Sequence, residues 1–466
     1  AAARPGAPGD GRRRGRRGSG SARAWLAATI ALALGPQQAH GLSVLVLGGT
    51  GFRGHFTSER LLRDGHSVTL IGRGNSYWGI LERLMEMGAE PWRCNRTLAK
   101  DFGGAPQAET SGLVNCTNLT ASTTRFDVAV DFSTRSLDEL KQAASLLKGR
   151  VGLYIFISTH AVYEVSKNAS HGEGLLFEDD AARPGREVSP LERYELKSKS
   201  NRGNSDLECE EYLKKQGDAG GFNFTTLRVT NVVGPKENTI RYWLLHLWVR
   251  AHNALTMPMH LDETMLETPI SFTYTPDIAQ AVARVIARSR NETCCLEKVH
   301  GEAFNLACEE APTQRKLYNH VAEPMGIAYV ETQELPHNTS IVLYPDIVRG
   351  PVSISKAENV LRFSPTDFGK AARSVARFYD RVMTDPKGYR KERDIIYAKC
   401  KTMLGKDGPR FVEWIRAFYL ERAKYELYDE IDDEDEDELI MARADPEKRK
   451  GRRQRRRRRS SGRDDL

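Results

Sequence analysis

Short apolar runs alternate with amphipathic stretches along most of the chain, in the rhythm of a parallel sheet wrapped by helices. Residues 42–47 (LSVLVL) are an apolar run of the buried-strand type. Helical spacing follows at 55–62, and 67–71 (SVTLI) make a second strand. Strands are again predicted at 126–132, 153–157 and 222–229, with a helical pattern at 136–147. Strands joined by helices predict a doubly wound α/β fold whose ligands sit at the carboxyl ends of the strands. Near the end of the chain Phe411, Trp414, Ile415, Phe418 and Tyr419 recur at helical spacing, and predict a helix packed on the body.

The turn between the first strand and the first helix carries the first chemical signal. It reads Gly48-Gly49-Thr50-Gly51-Phe52-Arg53-Gly54. Glycines at 48, 51 and 54 allow a tight turn, close approach of a pyrophosphate, and packing of helix on strand. The helix amino terminus then favours the phosphates. Strand, glycine turn, helix and strand in succession predict a Rossmann-type dinucleotide site. Its cofactor-binding candidates are Gly48, Gly51, Phe52, Arg53 and Gly54, with Asp131 at the end of the strand at 126–132. After the second strand, where an acidic residue would suit the ribose of NAD, the chain has Arg73. An Arg there pairs with a 2′-phosphate, so NADP is favoured and NAD is the alternative.

Composition is ordinary for a globular protein, at 40% apolar and 28% charged, which excludes a collagen-like or wholly disordered chain. The net charge of +7 is concentrated at the ends: +6 over 1–41, −1 over 429–466 and +2 between. So nearly neutral a body counts against a nucleic-acid-tracking surface. In 1–41 an Arg-rich stretch precedes an apolar run at 24–34 and small residues, the form of a secretory signal peptide. Seven N-x-S/T sequons, at Asn95, Asn115, Asn118, Asn168, Asn223, Asn291 and Asn338, agree with a glycoprotein of the secretory lumen, in the endoplasmic reticulum or secreted. The seven Cys lack the spacing of a zinc site, so no metal is expected, and their odd number leaves at least one thiol without an intrachain partner. Nine of the ten residues at 429–438 are acidic and ten of the twelve at 448–459 basic, which predicts solvated, disordered tails. The expected division is a leader at 1–41, a Rossmann domain at 42–240 and a smaller substrate domain at 241–395 that partly returns to the Rossmann core. A helical extension at 396–426 and the charged tail at 427–466 follow.

Over roughly 42–385 the chain resembles the extended short-chain dehydrogenases/reductases of the NAD-dependent epimerase/dehydratase family. The resemblance is carried by GGTGFRG (48–54), FISTHAVY (156–163), LRVTNVVGP (227–235), FTYTPDIAQAV (272–282), GEAFNLA (301–307) and GPVSISKAENVLRFSPT (350–366). LECEEYL (207–213) is similar to an atypical branch that includes plastid stem-loop-binding proteins. The resemblance implies a small-molecule substrate such as a nucleotide sugar, and dimerisation through helix pairs. It also implies a strand-end Ser or Thr acting with a Tyr and a Lys four residues apart on the next helix. Thr159 matches the strand-end hydroxyl, and Tyr163 matches a structural Tyr.

The Tyr/Lys pair departs from the pattern. Aligned on LECEEYL, the family's Tyr position holds Arg202 and its Lys position Asp206. Upstream, Tyr194 has Lys197 three residues on, a spacing that also shares a helix face. Thr159, Tyr194 and Lys197 are therefore the candidate catalytic set, against the alternative that Tyr194 and its lysines lie on a solvated insertion. Three functions stay open: an NAD(P)-dependent epimerase, dehydratase or oxidoreductase, a dinucleotide-binding scaffold without turnover, and a nucleic-acid-binding member.

Overall fold

Strand β1 (Ser43–Leu47) is buried on both faces, and its Val44, Leu45, Val46 and Leu47 reach no solvent. Around it the computed structural model describes residues 41–95, 116–167, 174–185, 189–290, 298–344, 350–385 and 387–423. The leader up to residue 40, the charged tail, Asn115, Asn168, Asn291, Cys294 and Cys295 lie outside the described residues.

Six further strands join β1 in a sheet: β2 (Ser67–Gly72), β3 (Glu90–Arg93), β4 (Phe126–Asp131), β5 (Val151–Thr159), β6 (Asn223–Val229) and, after three strands outside it, β10 (Ala303–Leu306). The order is β3-β2-β1-β4-β5-β6-β10, and every pairing is parallel. The order of strand addition reverses between β1 and β4, where ligands of such sheets bind. The intervening β7 (Asn231–Val233), β8 (Met259–Asp262) and β9 (Phe272–Tyr274), with the later β11 (Thr332–Leu335), form two parallel pairs, β7 with β9 and β8 with β11.

Apolar side chains alternate between the two faces of the sheet. Val44, Val46, Val128 and Val130 pack with Leu61 and Ile278 from helices His55–Arg63 and Thr275–Ser289. Leu45, Leu47, Ala129 and Phe156 pack on the other face with Leu140 and Leu213 from helices Leu137–Leu147 and Asn201–Asp218. A third cluster is built by helices Arg241–Leu255, Gln314–Ala322, Phe368–Thr384, Arg390–Met403 and Gly408–Arg422. In the last of these Phe411, Ile415 and Tyr419 are buried, as the spacing predicts. Asp380 ties three of these helices together, accepting from Tyr419 Oη at 2.6 Å and lying 3.0 Å from both His246 Nε2 and an Arg250 nitrogen.

Cys94 and Cys116 form a disulfide, while Cys209, Cys308 and Cys400 are buried thiols. No described helix is long and apolar enough to cross a membrane.

Candidate functional site

The glycine turn leaves β1 at Gly48, whose φ of 79° is left-handed and whose N–H donates to the Ile71 carbonyl. Gly54 begins the helix His55–Arg63, and a Cβ there would stand 2.7 Å from the Gly48 oxygen and 3.0 Å from the Gly49 Cα. Only glycine lets the helix cross the turn so closely. At Gly51 the nearest neighbour to an added Cβ is the Gly48 oxygen at 3.3 Å, so that side of the turn is open. The helix has no side-chain cap and no acidic residue in its first turn. A helix amino terminus without a side-chain cap, beside a glycine that carries no side chain, fits the pyrophosphate of a dinucleotide.

The flanking candidates divide by role. Phe52 turns its side chain into the core at 6% exposure and offers only backbone to a ligand. Arg53 reaches from the turn to the Phe132 carbonyl at 3.1 Å. Burial, then the nearby Arg202, lower its pKa to about 10, which leaves it cationic at neutral pH. Asp131 is fully buried and accepts from Thr134 Oγ1 at 2.6 Å, Tyr154 Oη at 2.5 Å and the amides of Ser133 and Thr134. Its carboxylate holds the turn after β4. Arg73 is exposed at the carboxyl end of β2. Beside it Arg93, at the end of β3, covers Gly74 so closely that a Cβ there would lie 2.4 Å from its Nε. Two arginines thus stand at this end of β2, and Arg93 adds to the sequence candidates.

Thr159 stands at the carboxyl end of β5, and its hydroxyl donates to Asp206 Oδ2 at 2.6 Å. Arg202 grips the same carboxylate, Nε to Oδ2 at 2.9 Å and Nη2 to Oδ1 at 2.8 Å, and reaches the Thr134 carbonyl. Burial raises the Asp206 pKa, opposed by Arg202 and the Thr159 hydrogen bond. The Thr159 hydroxyl bonds Asp206, not Tyr194 or Lys197. Both lie on a separate helix, Pro190–Lys199, that buries no residue, and Tyr194 is 70% exposed. Ser200 ends that helix in extended backbone and caps the next one, its Oγ accepting the Gly203 N–H at 3.0 Å. Register is therefore broken between Lys197 and Arg202, and the partners of Thr159 are those that alignment on LECEEYL selects.

The glycine at 203 explains the register. A Cβ there would stand 2.0 Å from the Ala161 carbonyl oxygen, so the helix Asn201–Asp218 touches the chain leaving β5 backbone to backbone. That approach sets Arg202 and Asp206 over Thr159. One turn along, Glu210 accepts from Ser158 Oγ at 2.6 Å and from Arg228 Nη2 at 2.7 Å. Arg228 in turn donates to Tyr163 Oη, which donates to Asn305 Oδ1 at 2.7 Å. Burial pushes the Tyr163 phenol up to about 12, so it remains neutral and structural. Among the described residues no group of three or more His, Cys, Asp or Glu could hold a metal ion.

Comparison with known proteins agrees with this fold. The model of the NAD-dependent epimerase/dehydratase family matches residues 44–307. The chloroplast stem-loop binding protein of 41 kDa b from Arabidopsis thaliana is 25% identical over 271 residues, 58% of this chain and 60% of that protein's length. Among solved structures, UDP-glucose 4-epimerase of Thermotoga maritima with UDP-glucose superposes with a TM-score of 0.53 at 16% identity, covering 73% of this chain and 99% of its own. UDP-glucuronic acid 4-epimerase of Bacillus cereus, in complex with UDP-glucuronic acid and NAD, gives 0.52 at 18% identity, with 73% and 99% covered. The dTDP-glucose 4,6-dehydratase of Streptomyces venezuelae, with NAD bound, gives 0.51 at 17% identity, with 72% and 96% covered.

Proposed function

Because this chain belongs to the NAD-dependent epimerase/dehydratase family, we propose that it holds NADP(H) in preference to NAD(H), beside a nucleotide-sugar-like ligand, without the phenol-driven hydride transfer its resemblance first implies. When bound, the dinucleotide supplies a hydride acceptor. The chain must supply the base that takes the hydroxyl proton. The observation that carries the reading is the identity of Thr159's partners, Asp206 and Arg202. The guanidinium of Arg202 has no acceptor atom for a proton and cannot be that base. Asp206 places an anion where the family pattern has a cation. Gly48, Gly51 and Gly54 receive the pyrophosphate, Arg53 adds positive charge beside it, and Arg73 with Arg93 faces a 2′-phosphate.

One contact favours a second reading, an active epimerase, dehydratase or oxidoreductase. The 2.6 Å bond from Thr159 to Asp206 could pass a substrate proton to a carboxylate whose pKa burial has raised. Titration of NADP and NAD, then incubation with nucleotide sugars followed by product NMR, separates the two. Arg73→Ala is expected to weaken NADP binding by about 1.5–3 kcal/mol, roughly ten- to 150-fold, and to spare NAD. Equal affinities that ignore the substitution remove the NADP preference. Product that survives Tyr194→Phe but vanishes in Asp206→Asn establishes the relay, and absence of product supports the scaffold.

We also propose residence in the secretory lumen. The Cys94–Cys116 disulfide suits an oxidising compartment. Asn95, Asn118 and Asn338 are exposed, whereas Asn223 starts a strand of the sheet and is half-buried. Glycosidase treatment of protein from a eukaryotic host is expected to lower its apparent mass. An unshifted band argues for a cytosolic or organellar protein.

A further inference from the structure

Residues 73–79 run from the end of β2 to the helix Ile80–Glu86. Arg73 stands at one end of this arm, and at the other Trp78 has a φ of 59°. A bulky residue holds left-handed backbone only where its surroundings over-determine it. Those surroundings are an aromatic box. The Trp78 ring lies 5.5 Å from Trp243, 5.5 Å from Phe378, 5.8 Å from Tyr389 and 6.4 Å from Tyr379, centroid to centroid. Trp243 and Tyr379 are themselves stacked at 5.0 Å. Phe378 and Tyr379 belong to the helix Phe368–Thr384, and Tyr389 immediately precedes the helix Arg390–Met403, all beyond the family match at 44–307. Tyr379 also reaches the chain that follows β7, its Oη accepting the Glu237 N–H at 3.2 Å.

We infer that Trp78 is a positioning residue for cofactor choice. The box fixes the far end of the arm, and the arm presents Arg73 at the end of β2. The C-terminal helices thereby take part in selecting the 2′-phosphorylated dinucleotide. Other restraints on the arm include the Ser76 hydroxyl donating to Glu82, the Ile80 N–H donating to the Tyr77 carbonyl, and the packing of Arg93 on Gly74. These lie within the Rossmann portion, whereas the box joins the arm to the added helices. The inference rests on the reading of Arg73 as the 2′-phosphate partner.

The test uses the full chain and reads the ratio of NAD to NADP dissociation constants by titration, with a thermal melt of each variant. Trp78→Ala is expected to lower the preference for NADP at least fivefold while NAD affinity stays within twofold. Trp78→Phe should restore the preference, and Tyr389→Ala, which opens the box from its far side, should reduce it. In an Arg73→Ala background Trp78→Ala should change the ratio less than twofold, because the two act in series. Should Trp78→Ala fail to fold, Trp78→Leu and Tyr389→Ala carry the same comparison. Equal loss of both cofactors, or effects of Trp78 and Arg73 that simply add, overturns the inference and makes Trp78 a packing residue only. If Arg73→Ala lowers the preference and neither Trp78 nor Tyr389 variants do, this inference alone falls. If Arg73→Ala has no effect, the 2′-phosphate reading falls and the route through Arg73 falls with it.

Discussion

Glu210→Ala is expected to lower the free energy of unfolding by about 3–5 kcal/mol, the usual result of removing one partner from a buried ion pair. Side-chain exposure is 5% for Arg228 and 10% for Glu210, and the pair closes at 2.7 Å. Truncation leaves the guanidinium buried with only neutral acceptors, the Tyr163 hydroxyl and the Glu178 carbonyl. It also frees the Ser158 hydroxyl next to Thr159. Denaturant titration of the single variant and of Glu210→Leu with Arg228→Met measures this. The double variant is expected to be more stable than the single, since no charge is stranded. A single-variant change under about 1 kcal/mol would show that water or another group reaches Arg228.

Stability should also fall as pH rises from about 4 to about 7, through Asp277. This carboxyl is 3% exposed at the start of the helix Thr275–Ser289 and accepts from Thr366, N and Oγ1 both at 2.8 Å. Burial pushes its pKa up to about 7, against about 3.9 in an unfolded chain. A pKa raised by folding means the folded state binds the proton more tightly. The contribution is complete below about pH 4, is lost on passing through about 7, and is flat above. The slope is about 1.4 kcal/mol per pH unit, so roughly 4 kcal/mol is at stake. Asp277→Asn should remove it. Comparing wild type with the variant cancels His55, whose pKa burial lowers to about 3 and whose contribution runs the opposite way. Parallel stability profiles for the two proteins between pH 4 and 7 would show that Asp277 is charged in the native state.

The ionic seat around Thr159 makes the difference between this chain and its family pattern concrete. In the family pattern the Lys lowers the pKa of a Tyr that gives or takes the substrate proton, whereas Arg202 and Asp206 satisfy one another and hold the Thr159 hydroxyl. Catalysis through such a seat requires the pair to open or to relay a proton, and each route involves Asp206. The seat is therefore defined by an acid–base question that a single substitution, Asp206→Asn, addresses.

What the sequence by itself determined was local. Each strand of the large sheet is a short apolar run, and the glycine turn lies within a single strand–turn–helix unit, so composition and spacing suffice to read them. The positions of Arg53 and Arg73 were legible for the same reason, since Arg53 stands in the turn before the helix His55–Arg63 and Arg73 directly follows β2. What sits over Thr159 depended on tertiary structure. Residues 190–204 present two helical registers, and by propensity alone Gly203 argues against the register that forms. Its lack of a Cβ becomes an advantage only when Ala161, forty-two residues earlier, brings its carbonyl within 2.0 Å of where that atom would be. Backbone contact there, with the Ser200 cap, outweighs the helical cost of glycine and delivers Arg202 and Asp206 while leaving Tyr194 in solvent. The Arg228–Glu210 pair and the box around Trp78 were hidden for the same physical reason. Their partners come from separate elements, and no periodicity along the chain records which faces will meet once the core is packed.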